Sequence, residues 1–175
     1  LQPNFRGSAG YGQSFAEAGY LEWSGLMSDD VEDAFLSIAE TGLVDADRAC
    51  IIGWSYGGYA ALSAAMRQEP HYRCAASIAG IADLQSFLES KRESDAEAFG
   101  YWVHSTGAPD ADATALAAAS PAQNPHRIEI PIYLVHGTAD EVVPVEQSSQ
   151  MASAMQAAGA SVEYHTMLES GHNIK

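Results

Sequence analysis

The chain has 175 residues, of which 47% are hydrophobic, and its formal net charge at pH 7 is −15. This length suits one domain with a sizeable core and leaves little room for a second domain. The negative charge disfavours binding to nucleic acid or to an anionic membrane surface, because both would repel the chain. No apolar run reaches the roughly 18 residues of a membrane span, and no signal-peptide pattern opens the chain, so we expect no membrane partner.

The N-terminal segment combines a strand end, a glycine-rich loop and one helix. Residues 1–5 are predicted as the end of a strand, and the loop that follows runs to Gly12. A helix is predicted over residues 29–41, because Ser28 is a favourable N-cap, acidic residues fill the first turn and Gly42 ends the periodic pattern.

Residues 48–66 contain the most informative motif. Residues 48–52 are an apolar run typical of a buried strand, and residues 60–66 are good helix formers. Between them lies a Gly-x-Ser-x-Gly pattern, Gly53-Trp54-Ser55-Tyr56-Gly57, in which a tight strand-to-helix turn exposes a serine hydroxyl. By itself the pattern also fits an ordinary turn, so its interpretation depends on the rest of the chain.

Strands and helices alternate after this motif. Strands are predicted at residues 74–79, 130–136 and 161–167, a helix at residues 145–158, and two or three short helices between residues 84 and 119. This order predicts an α/β fold with a mostly parallel sheet and helices on both faces. Within the helical stretch, Trp102 is expected to pack on the core, and Phe87 fits either the core or a substrate pocket.

The two cysteines, Cys50 and Cys74, each lie on a predicted strand. We expect buried free thiols, which is the common state of cysteine on a core strand. Because the two strands would be adjacent, a disulfide stays open as the alternative. The cellular compartment is therefore open too, with the cytoplasm slightly favoured.

An acid and a histidine follow Ser55 in the chain order that a hydrolase triad requires. The strand at residues 130–136 runs into a loop that ends at Asp140, and the last strand leads to Gly171-His172. We predict Ser55 as the nucleophile, His172 as the base and Asp140 as the acid. The backbone N–H of Tyr56 is the predicted oxyanion donor. This chemistry needs no metal and no organic cofactor.

Other residues are weaker candidates for the same roles. Glu141 is the alternative acid. His136 and His165 lie within or at the end of predicted strands, so packing or a backbone hydrogen bond is the better interpretation for both.

Four segments taken together resemble the prolyl oligopeptidase family of serine peptidases, which includes dipeptidyl peptidases and acylaminoacyl peptidases. The segments are residues 3–12, 53–59, 136–140 and 171–172. The resemblance implies an α/β-hydrolase fold truncated at both ends, so that residues 1–175 are part of a catalytic domain. It implies a peptide substrate, contacted by Trp54, Val142 and Val143, and it places a second oxyanion donor and a β-propeller outside this chain.

The resemblance also leads us to expect a gap in the sheet. In this topology another strand, missing here, separates the strand of residues 1–5 from the strand before Ser55. An unfilled gap would expose Ile51, Ile52 and unpaired backbone groups. We therefore expect that the isolated chain is marginally stable and self-associates through exposed sheet edges, or that it is ordered only when the rest of the parent chain surrounds it.

Substrate preference is only partly indicated. Proline-selective dipeptidyl members usually carry tyrosines after the strand that ends here at Ala79, and an Asn two residues past the acid. This chain has Ile81-Ala82-Asp83-Leu84 at the first place and Val142 at the second. The departures favour acylaminoacyl-type or broader oligopeptidase activity. A carboxylesterase of the same fold and a non-catalytic interaction domain are the alternatives.

Overall fold

The computed structural model describes residues 1–68 and 71–174, and its centre is a four-stranded parallel sheet. The strands are β1 (Cys50–Trp54), β2 (Cys74–Ile78), β3 (Ile132–Gly137) and β4 (Val162–Met167), in the order β1-β2-β3-β4. The helices are α1 (Gln13–Glu17), α2 (Leu26–Glu40), α3 (Tyr56–Ala65), α4 (Leu84–Ser94), α5 (Ala96–Thr106), α6 (Ala113–Ala118) and α7 (Glu146–Ala157). Short 3₁₀ helices lie at Ala46–Arg48, Pro121–Gln123 and Pro125–Arg127. The predicted parallel sheet is confirmed.

One face of the sheet carries the main core. The register aligns Ile51, Ala75, Ile132 and Val162 across the four strands, so these side chains point to the same side. They pack against α3, whose small alanine side chains let it approach the sheet closely, and against α7. The buried members of this cluster are Leu62, Ala65, Met66, Ala75, Ala82, Ile128, Ile132, Leu134, Met151, Ala152 and Met155.

The opposite face of the sheet is open in the described part of the chain. Ile52 and Trp54 on β1, Tyr133 on β3 and Met167 on β4 are all exposed on this side, Ile52 to 68%. The helices with extensive strand contacts, α3 and α7, lie on the other side. A second helical layer, expected from the sequence, is therefore not found among residues 1–68 and 71–174, and this face presents an apolar surface.

The N-terminal segment differs from prediction at two places. Residues 1–5 form no strand, because no strand lies beside them in the described structure to share backbone hydrogen bonds. A cavity of about 1170 Å³ instead separates them from the edge strand β1. Helix α2 begins at Leu26, whose N–H donates to Glu22 Oε2 at 2.9 Å, and Ser28 is buried inside the helix instead of capping it.

The expectation of free thiols is wrong, because Cys50 and Cys74 form a disulfide. The two residues are direct register partners on β1 and β2, with Cα atoms 4.8 Å apart, which places their side chains on the same side of neighbouring strands. Cys50 is also exposed rather than buried, because it lies on the open face of the sheet.

The stretch between β2 and β3 packs on the N-terminal half of α3, where the Tyr59 hydroxyl donates to the Ala119 carbonyl at 3.0 Å. Phe87 on α4 is fully buried, and its ring centroid lies 5.1 Å from that of Trp102 on α5. Phe87 therefore belongs to the core, which decides between the two interpretations that the sequence left open. None of the helices in the described ranges combines the length and the apolar character needed to cross a bilayer.

Candidate active site

Ser55 lies at the sharp turn between β1 and α3. Its φ of 57° falls in the left-handed region, a conformation that costs a non-glycine residue roughly 1–3 kcal/mol. The turn is held by hydrogen bonds from Ser55 N–H to the Ile78 carbonyl at 2.9 Å and from Gly58 N–H to the Ser55 carbonyl at 2.9 Å. A Cβ atom at Gly53 would overlap the Gly57 carbonyl group, so the tight turn requires glycine there. The result is a side chain lifted above the end of the sheet.

The Ser55 side chain is the first member of a hydrogen-bonded chain. Ser55 Oγ lies 2.9 Å from His172 Nε2, and His172 Nδ1 lies 2.8 Å from Asp140 Oδ2. Because the Asp140 carboxylate only accepts, His172 Nδ1 carries a proton and Nε2 is free to accept the Ser55 hydroxyl proton. The three predicted triad residues thus lie together in the expected order, Ser55, then His172, then Asp140.

The Asp140 carboxylate is buried and fully hydrogen-bonded. Its Oδ1 accepts from the N–H groups of Val142 and Val143, each at 2.9 Å, and its Oδ2 also lies 3.1 Å from His136 Nε2. Four donors therefore surround one carboxylate, an arrangement that holds it in one orientation. Glu141, the alternative acid, is exposed.

The loop that carries His172 packs directly on the loop that carries Asp140. Ala139 N–H donates to the Ser170 carbonyl at 2.9 Å, and a Cβ atom at Gly137 would overlap that same carbonyl. On the other side, Trp54 Nε1 donates to the His172 carbonyl at 2.9 Å, and the two rings lie 4.8 Å apart. Trp54 therefore supports the histidine loop, a role that the sequence did not indicate.

Tyr56 occupies the first position of α3. The N–H group of a first helical residue has no acceptor within the helix, and the helix N-terminus carries partial positive charge. This N–H group belongs to the residue that directly follows Ser55 in the sequence. The Tyr56 ring packs among Phe5, Trp23 and Tyr59, and burial raises the pKa of its hydroxyl.

The three residues predicted to contact substrate lie in different environments. Trp54 and Val142 keep 47% and 44% of their surface exposed. Val143 is 1% exposed and packs in the cluster of Tyr59 and Phe87, so its backbone, not its side chain, faces the site.

The remaining histidines near the strands are separated from Ser55. His165 is exposed and bonds Glu163 at 2.6 Å. His136 is fully buried and bonds Asp140, Val143 and Ser148. The four-residue spacing between His136 and Asp140 is visible in the sequence, but only the fold shows that the two side chains are in contact. Among the described residues no group of three or more His, Cys, Asp or Glu side chains is arranged to hold a metal ion.

Comparison with known proteins agrees with this geometry. The sequence profile described as the prolyl oligopeptidase family matches residues 1–175. The chain belongs to the prolyl oligopeptidase family. The predicted family and the predicted α/β-hydrolase fold are both confirmed.

Individual known proteins match almost the whole chain. Dipeptidyl aminopeptidase BIII of Pseudoxanthomonas mexicana is 34% identical over 176 residues, which cover 99% of this chain and 26% of that protein. The structure of a puromycin-hydrolyzing peptidase of Mycobacterium tuberculosis superposes with a TM-score of 0.90 at 31% identity, over 98% of this chain and 25% of that one. Acylaminoacyl peptidase of Pyrococcus horikoshii shares the fold, with a TM-score of 0.87 at 23% identity over 97% of this chain and 27% of that one. The chain spans about a quarter of the length of these relatives.

Proposed function

We propose that this chain is part of a serine peptidase that cleaves short peptides through a covalent acyl-enzyme on Ser55. The observation that carries the proposal is the hydrogen-bonded chain from Ser55 Oγ through His172 to the buried Asp140 carboxylate. A nucleophile, a base and an orienting acid in this order are what acyl transfer requires.

Each group has one role in the proposed reaction. Ser55 Oγ attacks the substrate carbonyl carbon while its proton passes to His172 Nε2, and Asp140 stabilises the imidazolium. The Tyr56 N–H group donates to the oxygen on which negative charge develops. His172 then gives its proton to the leaving amine as the C–N bond breaks. In the second half, His172 takes a proton from water as the water oxygen attacks the acyl ester. His172 then returns that proton to Ser55 Oγ as the ester C–O bond breaks and the acid is released.

The substrate class follows from the residues beside the triad. Val142 stands where proline-selective dipeptidyl members carry Asn, which favours an acylaminoacyl-type or broader oligopeptidase specificity. A dipeptidyl-type specificity is the second candidate, because the chain is 34% identical to a dipeptidyl aminopeptidase. We propose that the exposed side chains of Trp54 and Val142 contact the substrate.

A hydrolysis panel on the full-length protein tests the proposal. Acetyl-aminoacyl, Xaa-Pro and simple ester chromogenic substrates are compared, together with labelling by a fluorophosphonate probe. We expect peptide hydrolysis and labelling of the wild type, loss of both in Ser55→Ala, and no change in Ser153→Ala, which removes an exposed hydroxyl on α7. Hydrolysis of esters alone would indicate a carboxylesterase. A folded wild-type protein without labelling or turnover would instead indicate a non-catalytic domain.

A further inference from the structure

A fully buried imidazole lies directly behind the proposed triad acid. His136 is 0% exposed, lies at the end of β3, and takes no part in the proton transfers described above. We propose that His136, oriented by Ser148, is a positioning residue that holds the Asp140 carboxylate towards His172. The inference rests on the proposed triad and deepens it.

The neighbours of His136 determine its protonation at each ring nitrogen. Nε2 lies 3.1 Å from Asp140 Oδ2 and 2.9 Å from the Val143 carbonyl oxygen. Neither the carboxylate nor the carbonyl can donate, so Nε2 carries a proton and donates to both. His136 therefore supplies one of the four donors around Asp140.

The second ring nitrogen has a partner that fits this tautomer. Nδ1 lies 2.7 Å from Ser148 Oγ, a buried hydroxyl on α7. In the neutral imidazole with its proton on Nε2, Nδ1 is an acceptor, and the Ser148 hydroxyl can donate to it. The Asp140 carboxylate and the Val143 carbonyl disfavour the other neutral tautomer, which would turn an unprotonated nitrogen towards both of them, and Ser148 holds the ring in place from the other side.

The same contacts hold the loop of residues 138–145, here called the acid loop, against β3. Val142 and Val143 donate backbone N–H groups to Asp140 Oδ1, and the Val143 carbonyl accepts from His136. The loop is thus bound to His136 on β3, and His136 is in turn bound to Ser148 on α7. Without the His136 donor, Oδ2 would keep His172 as its sole partner among the described residues, and the carboxylate would be held less firmly towards the base.

A pair of substitutions in the full-length protein separates hydrogen bonding from packing. His136→Leu removes the donor, and we expect kcat to fall about 10- to 100-fold with little change in KM, because a hydrogen bond to a charged group is worth roughly this factor. His136→Gln retains an N–H donor near the position of Nε2, and we expect it to recover most of the lost kcat. His165→Leu, at an exposed histidine outside the site, is the matched control and should match the wild type.

Nuclear magnetic resonance provides a readout that does not depend on turnover. With ¹⁵N-labelled histidine, we expect His136 to show the Nε2–H tautomer, and Ser148→Ala to shift its Nδ1 resonance while Ser153→Ala does not. The downfield signal of the His172 Nδ1 proton should change in His136→Leu and return in His136→Gln.

The outcomes distinguish the two proposals. A wild-type protein that is unlabelled and inactive would overturn the proposed function, and the resonances of His136 and His172 would still test the positioning role. The positioning role is wrong if folded His136→Leu keeps wild-type kcat, if folded His136→Gln is as slow as His136→Leu, or if His136 carries its proton on Nδ1.

Discussion

Replacing Asp140 by Asn tests the proposed triad most directly, because the two side chains have nearly the same shape. The carboxylate accepts two backbone N–H groups at Oδ1 and two imidazole nitrogens at Oδ2, at distances from 2.8 to 3.1 Å. An asparagine offers one carbonyl oxygen and one NH₂ group. In either orientation its NH₂ group faces two donors that the aspartate satisfied.

The mismatch changes the tautomer of His172. With the amide oxygen towards the backbone N–H groups, the NH₂ group points at His172 Nδ1, which must become an acceptor. The proton then lies on Nε2 and points at Ser55, so His172 cannot take the hydroxyl proton. We expect Asp140→Asn to lower kcat about 10⁴-fold, the loss that the triad template shows for this change. At about 1.36 kcal/mol for each factor of ten, this is roughly 5.4 kcal/mol of transition-state stabilisation.

The assay compares kcat and the rate of fluorophosphonate labelling in the full-length protein. Glu141→Gln is the matched control, since Glu141 is the adjacent, exposed carboxylate and the alternative acid. We expect this control to behave like the wild type, with folding of both variants checked by circular dichroism. The assignment of the acid is refuted if Asp140→Asn keeps kcat within tenfold of the wild type, or if Glu141→Gln loses as much.

The other predictions concern stability and assembly. Burial raises the pKa of Glu32, so the stability linked to its protonated form is present below about pH 4 and is lost as the pH rises through the folded-state value. Glu32→Gln should therefore raise Tm at pH 8 but not at pH 3.5, whereas Asp33→Asn should do neither; an unchanged Tm at pH 8 would contradict this. The Cys50–Cys74 disulfide joins residues 24 positions apart, so replacing both cysteines by alanine should lower the free energy of unfolding by about 3 kcal/mol, and equal denaturant midpoints would count against it. The isolated 175-residue chain should associate in size-exclusion chromatography, because β1 has no further strand beside it among residues 1–68 and 71–174 and Ile52 is 68% exposed. A monodisperse monomer that unfolds cooperatively above about 60 °C would show this expectation to be wrong.

The sequence by itself determined the elements and the candidate chemistry, because both depend on short-range patterns. The apolar run before Ser55 and the alanine-rich run after it predict a strand and a helix, and glycines at both sides of the turn indicate close backbone packing. Chain order restricted the acid and the base to loops after later strands, which led to Asp140 and His172. The family followed from the same motifs.

Only the tertiary structure decided which residues meet across the sheet, because contacts between distant segments depend on register and on loop closure. Cys50 and Cys74 are direct register partners on neighbouring strands, and they form a disulfide, although the sequence favours a buried free thiol at each position. The absence of a neighbouring strand among the described residues left residues 1–5 without strand structure, since a strand exists only through hydrogen bonds to a partner. The sequence predicts packing or a backbone hydrogen bond for His136, and the structure shows the bond to the Val143 carbonyl. Only the folded loop shows that Asp140 also lies 3.1 Å from the same ring nitrogen.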